Sequence, residues 1–253
     1  MKLTYILPVI EYQEDYIKKC IDSLKFEYDE KLIVVGPENI MSKMGDATKT
    51  ISQHTTLLVN NGETDFCSQI NLAAKNVSTE YFSIIEFDDT YTEKWMSHVK
   101  EHAHAMGDVS LFLPLVLLTD ESDENSKALA NELSWSTAFA NDLGYIDTEC
   151  LESFYDFYVV GGVFKTNDFI EVGGFKSSLK IASTFELLLR MAHNGMKIYT
   201  IPRVGYKHTC GRKGSCMVTY GETISKEEGE WLIKTAKEER YFKEDRKKTF
   251  GVN

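Results

Sequence analysis

Residues 81–91 read YFSIIEFDDTY, an apolar run with the character of a buried strand that stops at three carboxylates, Glu86, Asp88 and Asp89. Side chains alternate between the faces of an extended chain, so Glu86 and Asp88, two apart, are expected on the same face. Like charges gathered at a strand end cost free energy unless a cation or a set of donors neutralises them. A divalent metal carrying a phosphorylated ligand is a natural neutraliser. Thr90-Tyr-Thr-Glu93 matches a helix capping box, which assigns Asp89 to supporting the cap.

On either side of this stretch the pattern alternates between strand and helix periodicities. Residues 3–10 read as a first strand, and residues 15–26 as a helix, with Tyr16, Ile17, Cys20, Ile21 and Leu24 at helical spacing. Residues 31–35 form a second strand stopped by Gly36-Pro37, and residues 56–59 a third stopped by Asn60-Asn61-Gly62. A helix over 66–76 leads into the acidic-ended strand, 81–87. A helix over 95–106 follows it, then a buried strand over 109–118 and an acidic segment, TDESDENSK, that reads as a solvated loop. The second half is less regular. It holds the aromatic cluster FYDFYVVGG (154–162), a helix starting at Thr166 or Asn167, a Gly173-Gly174 turn, a helix over 184–194 closed by Gly195, and a strand over 197–201. Such alternation predicts an α/β fold with a mostly parallel central sheet flanked by helices. Ligands of such sheets sit beyond the carboxyl ends of the strands, where the acidic cluster lies.

Composition narrows the function. A chain of 253 residues with 43% hydrophobic content can bury one large core, and the formal charge of −11, from 28 basic and 39 acidic residues, disfavours gripping nucleic acid through the whole surface. The five cysteines form no CxxC pair, so neither a disulfide framework nor a zinc cage is indicated, and a reducing cytoplasmic location fits. The N-terminal MKLTYILPVIEYQ has only a short apolar run broken by Pro8, unlike a signal peptide. The longest apolar stretch, 109–118, is interrupted by Pro114 and is about half the ~20 residues a membrane helix needs.

Four blocks in this order resemble the glycosyltransferases of the GT-A fold, in particular the large family 2 group. ILPVIEYQEDYIKKCIDSL is similar to that family's opening strand, loop and helix, and LIVVG stands where the family has a strand ending in acids. NLAAKNVSTEYFSIIEFDD matches its pattern of asparagine, helix, Glu-Tyr pair, apolar strand and Asp-x-Asp-Asp ending. GGVFKTNDFIEVGGF followed by ELLLRMAHNGMKIYTIP resembles its acceptor-side segment. The resemblance implies one catalytic domain over residues 1–220, with a nucleotide-sugar half (1–118) and an acceptor-side half (119–220), and a helical extension over 221–253. It implies a metal-dependent, inverting transfer of a hexose-type unit from a nucleotide diphosphate sugar to a hydroxyl. Mn2+ or Mg2+ would be held by Asp88, with Glu86 through water and His208 as a third ligand. Pro8, Glu11, Glu38, Glu86, Asp88, Arg212 and Lys213 would face the donor, the last two reaching its diphosphate from a loop over 206–215.

The departures from the family are as informative. Gly36-Pro37-Glu38-Asn39 leaves only Glu38 to reach the nucleoside. Ser183-Thr184-Phe185-Glu186 stands where the family has a Glu-Asp pair carrying the general base, and Thr184 cannot take a proton. Glu186, further along the helix, is then the candidate base, with Asp156 the other carboxylate that could face the sugar carbon. A retaining reaction, or a module that binds nucleotide sugar without turnover, would equally explain the loss. A nucleotidyltransferase is disfavoured because Pro8-Val-Ile-Glu-Tyr is neither glycine-rich nor basic. The acceptor is a glycan or another hydroxyl. DNA with hydroxylated bases becomes credible only if the basic tail joins Arg212 and Lys213 in one face. Trp135, Phe139, Tyr145, Phe154, Tyr155, Phe157 and Tyr158 are available for stacking on a ring, although a core or homo-oligomer contact is the commoner use of such residues.

Overall fold

The computed structural model describes residues 1–240 apart from 28, 61, 64, 121 and 122, and leaves the side chains of 123–126 undescribed. Residues 241–253, part of the expected helical extension, lie outside the described residues. Among the described residues the strands are β1 (Leu3–Pro8), β2 (Lys31–Gly36), β3 (Thr55–Val59), β4 (Tyr81–Ile84), β5 (Thr90–Tyr91), β6 (Val109–Asp120), β7 (Asp123–Ala130), β8 (Val163–Lys165) and β9 (Lys197–Cys210). They form one sheet in the order β3-β2-β1-β4-β8-β6-β9-β5, with β7 paired to β6. Pairing is parallel from β3 through β4 and again between β6 and β9, while β8 runs antiparallel between β4 and β6. The expected mostly parallel sheet is therefore present.

Alternation along each strand separates two cores. Tyr5, Leu7, Leu32 and Val34 face one side, together with Ile17 of α1 (Glu14–Ser23), Met41 of α2 (Glu38–Ala47) and Trp95 of α4 (Trp95–Ala105). Ile6, Ile33, Val35 and Phe82 face the other, with Ile70 of α3 (Phe66–Ala74), Phe169 of α6 (Thr166–Val172) and Leu187 of α7 (Ser183–His193). Both faces being covered, these strands are continuously apolar, and each fully buried aliphatic side chain contributes about 1.5–3 kcal/mol. The remaining helices are α5 (Thr148–Ser153), α8 (Cys216–Thr223) and α9 (Lys226–Glu239).

Three local expectations are corrected. The segment read as a solvated loop after residue 118 is instead the end of β6 and strand β7, paired in a hairpin with the register Leu118↔Ala128. Its acids have low strand propensity, and the ladder to β6 overrides it. The strand expected over 197–201 runs on to Cys210, because β6 offers a parallel ladder as far as Asp120↔Cys210. The capping box does not form. Thr90 and Tyr91 instead make the short strand β5 against β9, and α4 begins at Trp95 with Lys94 as its N-cap.

Candidate functional site

Strand β4 ends at Ile84, before the carboxylates, and the Asp89 amide donates to the Glu86 carbonyl at 3.1 Å. This turn replaces strand parity: residues three apart now share a side. Glu86 and Asp89 come together with His208, their ligand atoms all within 4.8 Å of one another. His208 Nδ1 is 2.8 Å from Asp89 Oδ2 and 3.4 Å from Glu86 Oε2. Strand β9 builds this geometry. The Tyr206 hydroxyl accepts from the Glu86 amide at 2.9 Å, the Thr209 amide donates to Asp89 Oδ1 at 2.8 Å, and the Thr209 hydroxyl donates to the Asp88 carbonyl at 2.8 Å. Asp89, expected to support a helix cap, is thus 1% exposed at the centre of the cluster. His208, expected in a loop, is a strand residue opposite Leu118.

Asp88 points elsewhere, contrary to its expected place as principal metal ligand. Its Oδ2 accepts from Arg212 Nε at 2.5 Å, and Arg212 Nη1 donates to Glu11. The guanidinium lies 4.8 Å from the centre of the Phe87 ring. Arg212 thereby bridges the carboxyl ends of β1 and β4, compensating both acids at once. Pro8 is the buried last residue of β1, Glu38 is exposed in the first turn of α2, and Lys213 is exposed beside Arg212.

The cluster holds its protons tightly. Burial, then the charge of Asp89, raises the Glu86 pKa against the pull of His208, and burial raises that of Asp89. Burial alone would lower the pKa of His208, but the hydrogen bond and charge of Asp89, helped by Glu86, lift it to about 9. Two carboxylates and an imidazole, crowded and short of compensating charge, are a donor set that fits a divalent cation such as Mn2+ or, with less liking for nitrogen, Mg2+.

A cavity of about 570 Å³ opens beside the cluster, with Glu86 and His208 in its wall. Asp65 and Cys67 at the start of α3 form one side, and Thr184 and Phe185 at the start of α7 another. Cys216, Met217 and Tyr220 of α8 and Gly229 and Ile233 of α9 close it. Of the aromatic cluster, Tyr155, Phe157 and Tyr158 line this space, with the Tyr158 ring 5.6 Å from that of His208. The others pack into the protein, as Phe154 does against Phe139 and Trp135 and Tyr145 do against Tyr199.

Glu186, the expected proton acceptor, does not reach the cavity. It is fully buried, its carboxylate receiving Arg190 Nε at 2.7 Å and Nη2 at 2.8 Å, with Lys176 Nζ 3.2 Å away. Arg190 in turn donates to the carbonyls of Val172 and Gly174. The apolar Leu187-Leu188-Leu189 run was the signal that this helix is buried on most sides. An acid inside it serves to orient the arginine that holds the Gly173-Gly174 turn. Sequence reasoning missed Asp89 and the supporting Tyr206 and Thr209, which the long ladder of β9 to β6 carries up to the turn.

A curled, mostly parallel sheet with helices on both faces and an acidic turn at a strand's carboxyl end defines a GT-A-like glycosyltransferase fold. No protein-family model and no curated protein sequence matches the chain. Among solved structures it is similar to TarS of S. aureus (its 1–349 portion) in complex with UDP, over 100% of this chain and 76% of that one, at a TM-score of 0.65 and 14% identity. The same protein in complex with UDP-GlcNAc matches over 99% and 75%, with a TM-score of 0.65 and 15% identity. The mannosyltransferase PcManGT from Pyrobaculum calidifontis, in complex with GDP-Man and Mn2+, matches over 98% and 72%, with a TM-score of 0.64 and 14% identity.

Proposed function

We propose that the chain is a glycosyltransferase that moves a sugar from a nucleotide diphosphate sugar to an acceptor hydroxyl. The observation that carries this reading is the meeting of Glu86, Asp89 and His208 at the end of β4, on the wall of a cavity large enough for a sugar nucleotide. The GT-A-like fold supports it, as do the UDP, UDP-GlcNAc and GDP-Man named for the similar structures. Glu86, Asp89 and His208 would hold a divalent cation. Such an ion supplies positive charge to the departing diphosphate.

The chain's own residues supply the rest. Arg212 sits between Glu11 and Asp88 and can exchange these carboxylates for phosphate oxygens, which suit its fork of donors equally well. Tyr206 and Thr209 keep the acidic turn in place, so its charges need no rearrangement when the donor arrives. Glu38 and Glu11 are the acids nearest in sequence to the ends of β2 and β1, and they remain candidates for the nucleoside side of the donor.

Incubation with UDP-GlcNAc and GDP-mannose in the presence of Mn2+ tests the reading. Release of UDP or GDP that disappears in Asp89→Asn supports the enzyme. Binding without release would favour a second reading, a nucleotide-sugar-binding module, which the loss of a base at Thr184 and the burial of Glu186 keep in play.

A further inference from the structure

Four carboxylates line the cavity: Asp65, Glu86, Asp156 and Glu230. Three are engaged. Asp65 caps α3 by accepting from the Ser68 amide at 3.0 Å, Glu86 belongs to the cluster with Asp89 and His208, and Glu230 faces Lys226 at 3.8 Å. Asp156 has no such partner among the described residues. Partial burial raises its pKa.

The backbone around Asp156 is held firmly. Asn131, 2% exposed and in the left-handed conformation at φ 70°, accepts from the Tyr158 amide at 2.9 Å and donates to the carbonyls of Tyr158 at 3.0 Å and Pro114 at 2.8 Å. The Gly161 amide donates to Ile84 at the end of β4 at 2.8 Å. On the other side, the Tyr155 and Phe185 rings meet at 5.9 Å, which sets residues 155–156 beside Thr184. Asp156 thus shares the cavity wall with Glu86 and Thr184 and is itself exposed.

The neighbouring groups on this wall are less suited to accept a proton near neutral pH. The Tyr158 phenol is pushed up to about 12 by burial and then by Asp156, and burial also pushes up the Cys216 thiol. Lys180 is tied to Glu228 at 2.7 Å, and Glu86 and His208 belong to the cluster with Asp89.

We propose that Asp156 is the catalytic base that accepts the proton of the acceptor hydroxyl, an assignment that rests on the transferase reading. The acceptor O–H gives its proton to an Asp156 oxygen while the freed electron pair forms the bond to the anomeric carbon. The bond from that carbon to the donor diphosphate breaks, and its pair leaves on the diphosphate oxygen. Attack and departure on opposite faces invert the configuration.

The test compares wild type with Asp156→Asn and Asp156→Glu, using UDP-GlcNAc or GDP-mannose with Mn2+ and water as the acceptor, then 4-nitrothiophenol, which is ionised at pH 7.5. The expected result for Asp156→Asn is a loss of about a hundredfold or more in nucleoside diphosphate release. Affinity for UDP or GDP should stay within about twofold, Asp156→Glu should regain part of the rate, and the loss should shrink to under about tenfold with the thiolate, which needs no base. Turnover of Asp156→Asn within about tenfold of wild type overturns the assignment. An equal loss with both nucleophiles, or a loss matched by weaker nucleotide binding, overturns it too. A wild type that releases no nucleoside diphosphate from either donor overturns the transferase reading itself, whereas an active wild type with an indifferent Asp156→Asn sinks only the base.

Discussion

Between Asp88 and Asp89 a single step along the chain decides which carboxylate joins His208. Asp89→Asn is expected to weaken Mn2+ binding at least tenfold in a calorimetric titration, because it removes the residue that pairs with His208 at 2.8 Å. Asp88→Asn should leave Mn2+ affinity nearly unchanged and free Arg212, detectable as altered UDP affinity. The cluster also fixes a pH dependence. Glu86, Asp89 and His208 all have raised pKa values, so the metal-free folded state holds more protons than the unfolded one, and stability falls as pH rises. The share of His208 is fully present below about 6.5 and is lost as pH climbs through about 9. A metal needs those protons gone, so its binding tightens over the same interval. Melting curves in EDTA should therefore drop by several degrees between pH 6.5 and 9, the added stabilisation by Mn2+ should grow, and His208→Gln should flatten both slopes. Glu186→Gln, in contrast, should act on stability alone. It leaves Arg190 and Lys176 buried without their counter-charge, a change that costs about 3–5 kcal/mol in denaturant unfolding.

At the scale of elements, the site depends on β9 being long. Only a strand that continues past Pro202 carries Tyr206, His208 and Thr209 up to the acidic turn. Gly161 lies across this junction at φ 73°, where a Cβ would sit 2.5 Å from the Tyr206 ring, and its carbonyl accepts from the Trp95 indole at 2.9 Å. Gly161→Ala is thus expected to destabilise the fold by about 2–4 kcal/mol, combining left-handed strain with overpacking, and to weaken Mn2+ binding by displacing the Tyr206 hydroxyl. Denaturant unfolding and a Mn2+ titration of the same variant check both parts. The parallel core of this architecture was legible: β1, β2, β4 and β6 each show the continuous apolar run of a strand covered on both faces. The hairpin partner β7 and the upper part of β9 were not, since DENSK and RVGYKHT carry polar residues whose local preference is for loops. Their ladder bonds to β6 outweigh that preference, and such long-range pairing leaves little trace in a short window of sequence.

For the molecule as a whole, α9 packs closely against the body of the fold. Leu232 is 1% exposed and Ala236 is fully buried in the core beneath α7, while Lys176 donates to both the carbonyl and the carboxylate of Glu239. Leu232→Ala should cost about 2–5 kcal/mol in unfolding and, by loosening one cavity wall, lower nucleotide affinity as well. No helix among the described residues is long and apolar enough to cross a membrane. The five cysteines are free thiols.

The sequence alone determined the class of fold, because alternating strand and helix periodicities, both faces apolar, admit few arrangements other than a covered, mostly parallel sheet. It also placed the acidic turn at a strand end and brought Glu86 and His208 forward as candidates. Tertiary structure decided which acids lie together. Side-chain parity depends on where the strand stops, and β4 stops two residues before its first carboxylate. The fate of Glu186 was likewise set by burial against Arg190 and Lys176, partners that spacing along one helix could not show to be enclosed. Between Glu186 and Asp156 the sequence could not choose, and only the cavity wall, assembled from distant segments, set Asp156 apart from carboxylates that have partners.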